Sequence, residues 1–222
     1  MKYPNAYAGI KKIYVSQILA FIATVLTVAG VTVGAVVREI GTVTVAFAVP
    51  FAVLLLAGGV LNVISYIKHI RGANLCAKDV PAFRKALVWL IIGVVVSIVK
   101  NVLESTDLEA LVLMMRVIFT LSNFLGAYFT VCGIIEMAAA EQNYAFKAQA
   151  DAALRHIILT KILGVIGTGA DYIVKEFFST AQSGFMHFLP YILMAFMLLM
   201  DILFYLFFMR ILKQTKHELK QI

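Results

Sequence analysis

Lys161, Gly164, Thr168, Asp171 and Lys175 recur at helical spacing inside an otherwise apolar stretch, 157–178. On a helix turning about 100° per residue they fall in one narrow stripe. A carboxylate and two ammonium groups beside a hydroxyl and small residues can do one of two things in a membrane. They can pair with each other and with neighbouring helices, or they can line a cavity that binds a polar or charged solute.

Four further stretches carry stripes of the same kind. Trp89, Gly93, Ser97, Lys100 and Glu104 share one face, and Arg116, Thr120, Asn123, Ala127 and Thr130 share another. Gly58, Asn62 and Ser65 form a third, and Met194, Asp201 and Tyr205 a fourth. Repetition of this spacing is what a bundle with a polar seam requires. The candidate binding residues are therefore Lys100, Arg116, Asn123, Thr168, Asp171 and Asp201. At 1.5 Å per residue, Asp171 and Lys100 are expected roughly 20 Å above the inner boundary. Arg116 enters from the outer side to meet them, and Asp201 falls nearer the midplane. An ionised residue alone at the bilayer centre costs about 2.5–3.5 kcal/mol on insertion scales. These groups need partners or water, and Asp171 with Arg116 or Lys175 is the least costly pairing. The competing reading makes the stripes packing contacts, with Asp171–Lys175 an ordinary i,i+4 pair.

Signatures of other chemistry are missing. There is no HExxH, GxSxG or Walker loop, so the chain is read as a non-enzyme. The glycine run 164–169 lies within a span, not between a strand and a helix, so it is no dinucleotide fingerprint. His69, His156, His187 and His217 are scattered at expected membrane boundaries and in the tail, where an interfacial role suits them. Cys76 and Cys132 have no CxxC or Cys/His cluster around them, so no metal, cofactor or disulfide is expected.

The elements that position these residues follow from composition. Of 222 residues, 62% are hydrophobic and 14% charged, with a mean hydropathy of +0.94. That excess of apolar surface has to face lipid. The expected fold is an all-α integral membrane protein, one polytopic domain over 1–222, with about six spans of at least ~20 residues. They lie at about 13–37, 42–67, 87–106, 108–136, 157–178 and 188–212. The first is longer than a signal-peptide core and lacks a cleavage site, so it reads as a retained span.

Orientation comes from charge. Lys2, Lys11, Lys12, Lys68, Arg71, Lys78, Arg84, Lys85, Lys147, Arg155, Lys213, Lys216 and Lys220 gather on one side, and the opposite turn at 103–110 is acidic. The positive-inside rule places both termini in the cytoplasm. It also explains the net charge of +7 without a nucleic-acid partner.

Short loops and the absence of a soluble domain suggest a bacterial plasma-membrane protein. Two cytoplasmic connectors stand out. Segment 68–85 should bend at Pro81, and 138–156, without Gly or Pro, should continue the fourth span as helix. Phe83 and Phe146, among basic residues, make these connectors candidate docking sites for a cytoplasmic or membrane partner. Gly30 and Gly34 permit close helix approach within the bundle.

Two functional readings follow. One is a small-solute transport component with a polar cavity in the outer half of the bundle. The other is a non-transporting structural or regulatory protein whose intramembrane charges hold the bundle or a partner together. For the topology, reporter fusions after Gln221 and within 181–184 should report opposite sides of the membrane. Both on one side would mean the last span does not cross.

Overall fold

Apolar runs of this length can satisfy their backbone hydrogen bonds in hydrocarbon as helices without help from water. The computed structural model is built of them: α1 (Pro4–Ile40), α2 (Val45–Asp79), α3 (Phe83–Leu103), α4 (Glu109–Ala140), α5 (Tyr144–Phe178) and α6 (Gly184–Gln221). It describes residues 2–40, 45–103, 109–178 and 184–221. Within these, the side chains of 32, 35–40, 45–48, 109–110, 113, 168–169, 171–178, 184–188, 190–191, 194 and 221 are outside the description. No strand occurs among the described residues.

Five helices carry a stretch long and apolar enough to cross a membrane: Pro4–Val31, Val49–Asp79, Phe83–Leu103, Met114–Ala140 and Ala195–Lys220. The protein is an all-α membrane bundle. α5 runs antiparallel to α6 over the whole of that last stretch. Asn143 bonds Glu218 at 3.0 Å and Lys161 bonds Asp201 at 2.8 Å, and Gly167 faces Phe196 and Met197. From Asn143 to Gly167 is roughly 36 Å of helix at 1.5 Å per residue, more than the ~30 Å of a hydrocarbon core. The charged helix therefore lies alongside its apolar neighbour over that length.

Each helix packs on the next in sequence, and α6 returns to α1, so the six close into a ring. The tightest seam is α1–α2. A Cβ at Gly72 would stand 2.7 Å from the carbonyl oxygen of Gly9, and one at Gly9 would stand 2.5 Å from that of Gly72. Only glycine admits backbones that close. Gly30 and Gly34 serve the same seam, against Leu55 and Phe51.

The helices outrun the expected spans chiefly at the end where the termini lie. Segment 68–85 is the last turns of α2, a bend at 80–82 and the start of α3. Pro81 does mark the bend, as its missing N–H requires.

Segment 138–156 departs from expectation: it does not prolong α4. Gln142 takes a left-handed φ of 54°. Its N–H donates to Ala139 O and that of Asn143 to Ala138 O, each at 3.0 Å. This is the Schellman closure, usually made by glycine. Asn143 then starts α5, its Oδ1 accepting from Phe146 N at 3.0 Å.

Nor are Phe83 and Phe146 free to dock a partner. Both are buried in the apolar cluster at this end of the bundle, with Ile10, Ile134, Ile157 and Leu212. Polar contacts tie the same end together. Asp79 accepts from Asn5 Nδ2 and Ala6 N, both at 2.8 Å, capping the start of α1. Lys2 Nζ and Tyr3 Oη each reach Glu141 Oε1 at 2.7 Å. Both termini and both short turns thus share one end of the bundle.

The hydrogen bond from Lys2, then that from Tyr3, holds the Glu141 carboxyl below its ordinary range. A depressed folded value means this contact stabilises above the carboxyl's unfolded pKa and is lost as pH falls through the folded one. Acid titration of thermal stability should show this component in the wild type. Glu141→Gln should flatten that limb, and an unchanged acid profile would dismiss the contact. Separately, Gly72→Leu should destabilise the protein by at least the ~1–3 kcal/mol typical of overpacking, read as a lower melting temperature in detergent.

Candidate functional site

Polar side chains that hydrocarbon would penalise turn inward, and the ring of helices leaves a cavity of about 380 Å³ between them. Every helix contributes. α1 brings Gln17, Ala20 and Thr24, and α2 brings Asn62, Ser65, Tyr66 and His69. Leu90 comes from α3, Phe119, Asn123 and Ala127 from α4, and Lys161 from α5. α6 supplies Leu198, Asp201, Phe204, Tyr205 and Phe208. On α2 the positions 62, 65, 66 and 69 form one helical face, which is why four consecutive liners come from a single helix.

The polar groups pair in a definite pattern. Lys161 Nζ lies 2.8 Å from Asp201 Oδ1, and the same ammonium sits 4.3 Å from the centroid of the Phe204 ring. Tyr66 Oη donates to Asn123 Oδ1 at 2.7 Å, joining α2 to α4. Ser65 Oγ donates to the carbonyl of Ser16 at 2.7 Å. Gln17 Nε2 donates to His69 Nδ1 at 3.2 Å, which puts the ring hydrogen on Nε2. That atom is itself buried without a partner, in a residue 8% exposed. Among the described residues it is the one buried side-chain polar atom so left.

The pair at Lys161 and Asp201 is not sealed: the side chains are 24% and 63% exposed. Against hydrocarbon such exposure would be costly for a carboxylate. Opening onto the polar cavity relieves it. Toward the end that carries the termini, the cavity is floored by packed side chains. Ile13, Phe83, Ile134, Ile157, Ile211 and Leu212 are all buried there, and Ala127 and Phe208 belong both to that cluster and to the cavity wall.

Of the residues expected from sequence to form the site, Asn123 and Asp201 line this cavity. Lys100, in the last turn of α3, and Arg116, on the exposed side of α4, do not. The side chains of Thr168 and Asp171 lie outside the described residues, as do those of Lys175, Glu176 and Met194 and all of Glu104. Along α3 and α4 its liners Leu90, Asn123 and Ala127 lie nearer the end that carries the termini than Lys100 and Arg116 do.

The polar lining residues missed include Lys161, His69, Gln17, Thr24 and Tyr66. Lys161 stands in the α5 stripe, but its partner is forty positions away in sequence. His69, expected at a membrane boundary, is four residues beyond Ser65 on the stripe that begins at Gly58. Extending that stripe by one turn finds it. Gln17 carries no comparable signal, since its neighbour Ser16 starts the small-residue stripe of α1.

No protein-family model, curated protein or solved structure matches this chain. The fold and cavity define a multi-pass membrane protein with a polar interior.

Because the ion pair faces an open cavity, Asp201→Asn should cost about 1–3 kcal/mol, the scale of a charged hydrogen bond. A sealed pair broken on one side would cost about 3–5 kcal/mol. Thermal unfolding of Asp201→Asn, Lys161→Met and the double variant gives the coupling energy directly. Coupling near zero would mean the two groups do not depend on each other.

Proposed function

We propose that this protein binds a small solute in its central cavity and serves as a transport component of a bacterial plasma membrane, its termini in the cytoplasm. The observation that carries this reading is a roomy polar cavity onto which the Lys161–Asp201 pair opens. A bundle whose polar groups served packing alone would close on them, because a carboxylate left exposed against hydrocarbon is costly. A volume of about 380 Å³ falls within the range of small-molecule sites. The packed floor supports a state closed toward the end bearing the termini. Absence of enzyme signatures in the sequence favours binding and passage over turnover.

The structural or regulatory reading draws on the direct contact of Lys161 with Asp201 and of Tyr66 with Asn123, which join α5 to α6 and α2 to α4. It accounts for those four side chains but not for the volume between them.

Thiol accessibility separates the two. In a background with Cys76→Ala and Cys132→Ser, a thiol placed by Ala20→Cys should react with a membrane-impermeant maleimide from the side opposite the termini. One placed by Ile13→Cys, in the floor, should stay protected. A folded Ala20→Cys protein inert from both sides would leave a closed bundle with structural charges.

A further inference from the structure

We infer that the groove between α5 and α6, at the end of the bundle that carries the termini, binds the phosphate of an anionic phospholipid from the adjoining leaflet. This site is separate from the central cavity and does not depend on what that cavity holds.

Matching faces of two antiparallel helices build the groove. Gln149, Ala152 and His156 line it from α5, and Phe207, Arg210 and Gln214 from α6. Both sets follow the i, i+3, i+7 spacing of a single helix face. The His156 ring lies 4.6 Å from that of Phe207. Its Nδ1 donates to the carbonyl of Ala152 at 2.7 Å, which leaves Nε2 as the nitrogen available to a headgroup.

Charge names the class of ligand. Arg210 is exposed, and among the described residues no carboxylate pairs with it. No acidic residue lines the groove. Of the carboxylates near this end of α5 and α6, Asp151 is held by Lys147 at 3.1 Å and Glu218 by Asn143 at 3.0 Å. Arg155 and Lys213, both exposed, stand beside His156 and one turn beyond Arg210. A phosphate there meets a planar guanidinium fork, with side-chain amides on both helices to add donors. A headgroup ending in an ammonium would meet like charge, with no free carboxylate to offset it.

Position makes that phosphate a lipid's. Exposed residues of the two helices change character at the groove. On the side away from the termini, Leu159, Ile162, Leu199 and Leu206 are apolar and at least half exposed. Basic residues begin at Arg155 on α5 and Arg210 on α6. Such a change marks the border between hydrocarbon and headgroups. A lipid with its phosphate on Arg210 would lay its chains along the apolar strip. The groove holds about 170 Å³, less than the roughly 300–1,000 Å³ that encloses a whole soluble ligand. A headgroup whose chains run outside needs no such enclosure, and basic pockets between helices at a membrane surface suit anionic headgroups.

Native mass spectrometry of the full chain, delipidated in detergent, tests this with three probes: phosphatidylglycerol, phosphatidylethanolamine and soluble glycerol 3-phosphate. Phosphatidylglycerol should bind saturably and more tightly than either of the others. Arg210→Gln should weaken it roughly tenfold or more, as loss of a charged hydrogen bond implies. Arg84→Gln removes the same charge from an exposed position on α3 at the same end, and should leave the affinity within about twofold. Ala152→Phe fills the groove with every charge in place and should weaken binding as Arg210→Gln does. It decides alone where Arg210→Gln does not fold.

No saturable binding of phosphatidylglycerol, or equal binding of the two lipids, overturns the inference. Equal weakening by Arg84→Gln and Arg210→Gln overturns it too, since the attraction is then spread over the whole basic end. Binding that survives Ala152→Phe places the lipid elsewhere. Glycerol 3-phosphate bound as tightly as the lipid would make the groove a site for a soluble phosphate, and the lipid assignment falls.

Discussion

Hydrocarbon supplies neither hydrogen bonds nor counter-ions, and that constraint organises this molecule. Several helices carry groups that cannot face lipid, and closing six helices into a ring turns polar side chains of α1, α2, α4, α5 and α6 toward a common axis. The ion pair between Lys161 and Asp201 shows the result. Neither residue suits hydrocarbon alone, and each is admitted by the other and by the cavity they share. The apolar faces left over, such as Val53, Leu56, Val60 and Val63 on α2, point outward and are what lipid meets. One rule about solvation thus sets both the outside and the inside of the bundle.

The two ends of the ring are built differently. Where the termini and the short turns meet, large side chains are fully buried and charged residues bridge segments far apart in sequence. Above that base the helices separate enough to leave the cavity. A firm base under an open middle keeps the polar groups from collapsing onto one another. The polar liners keep their separation because the packed cluster beneath them holds the helices apart.

Much of this was legible in the chain itself. Long apolar runs announced the helices, and the lysines and arginines announced which ends lie together. Stripes at spacings of three and four put Asn123 and Asp201 on inward faces. Spacing gives the phase of a helix and says nothing of its neighbours around the ring, so the partner of Asp201 was not readable. Lys161 reaches it only because α5 and α6 are antiparallel in one particular register. His69 was assigned to a boundary because α2 was read as ending near residue 67, whereas nothing in the sequence breaks that helix before Asp79. The end of α4 was hidden for a different reason. A left-handed cap usually shows itself as glycine, and here Gln142 adopts that conformation, with Asn143 as the visible trace.

The close seam between Gly9 and Gly72 has a mechanical consequence. Backbones in direct contact cannot slide or part without losing most of what holds them, so α1 and α2 behave as one stiff beam. α3 with α4, and α5 with α6, are likewise joined more extensively than the three hairpins are to each other. Compliance therefore resides between beams. Two of those joints are the short bends at 80–82 and 141–143, both set in the base, so a small rotation there is amplified over the length of a helix at the far end.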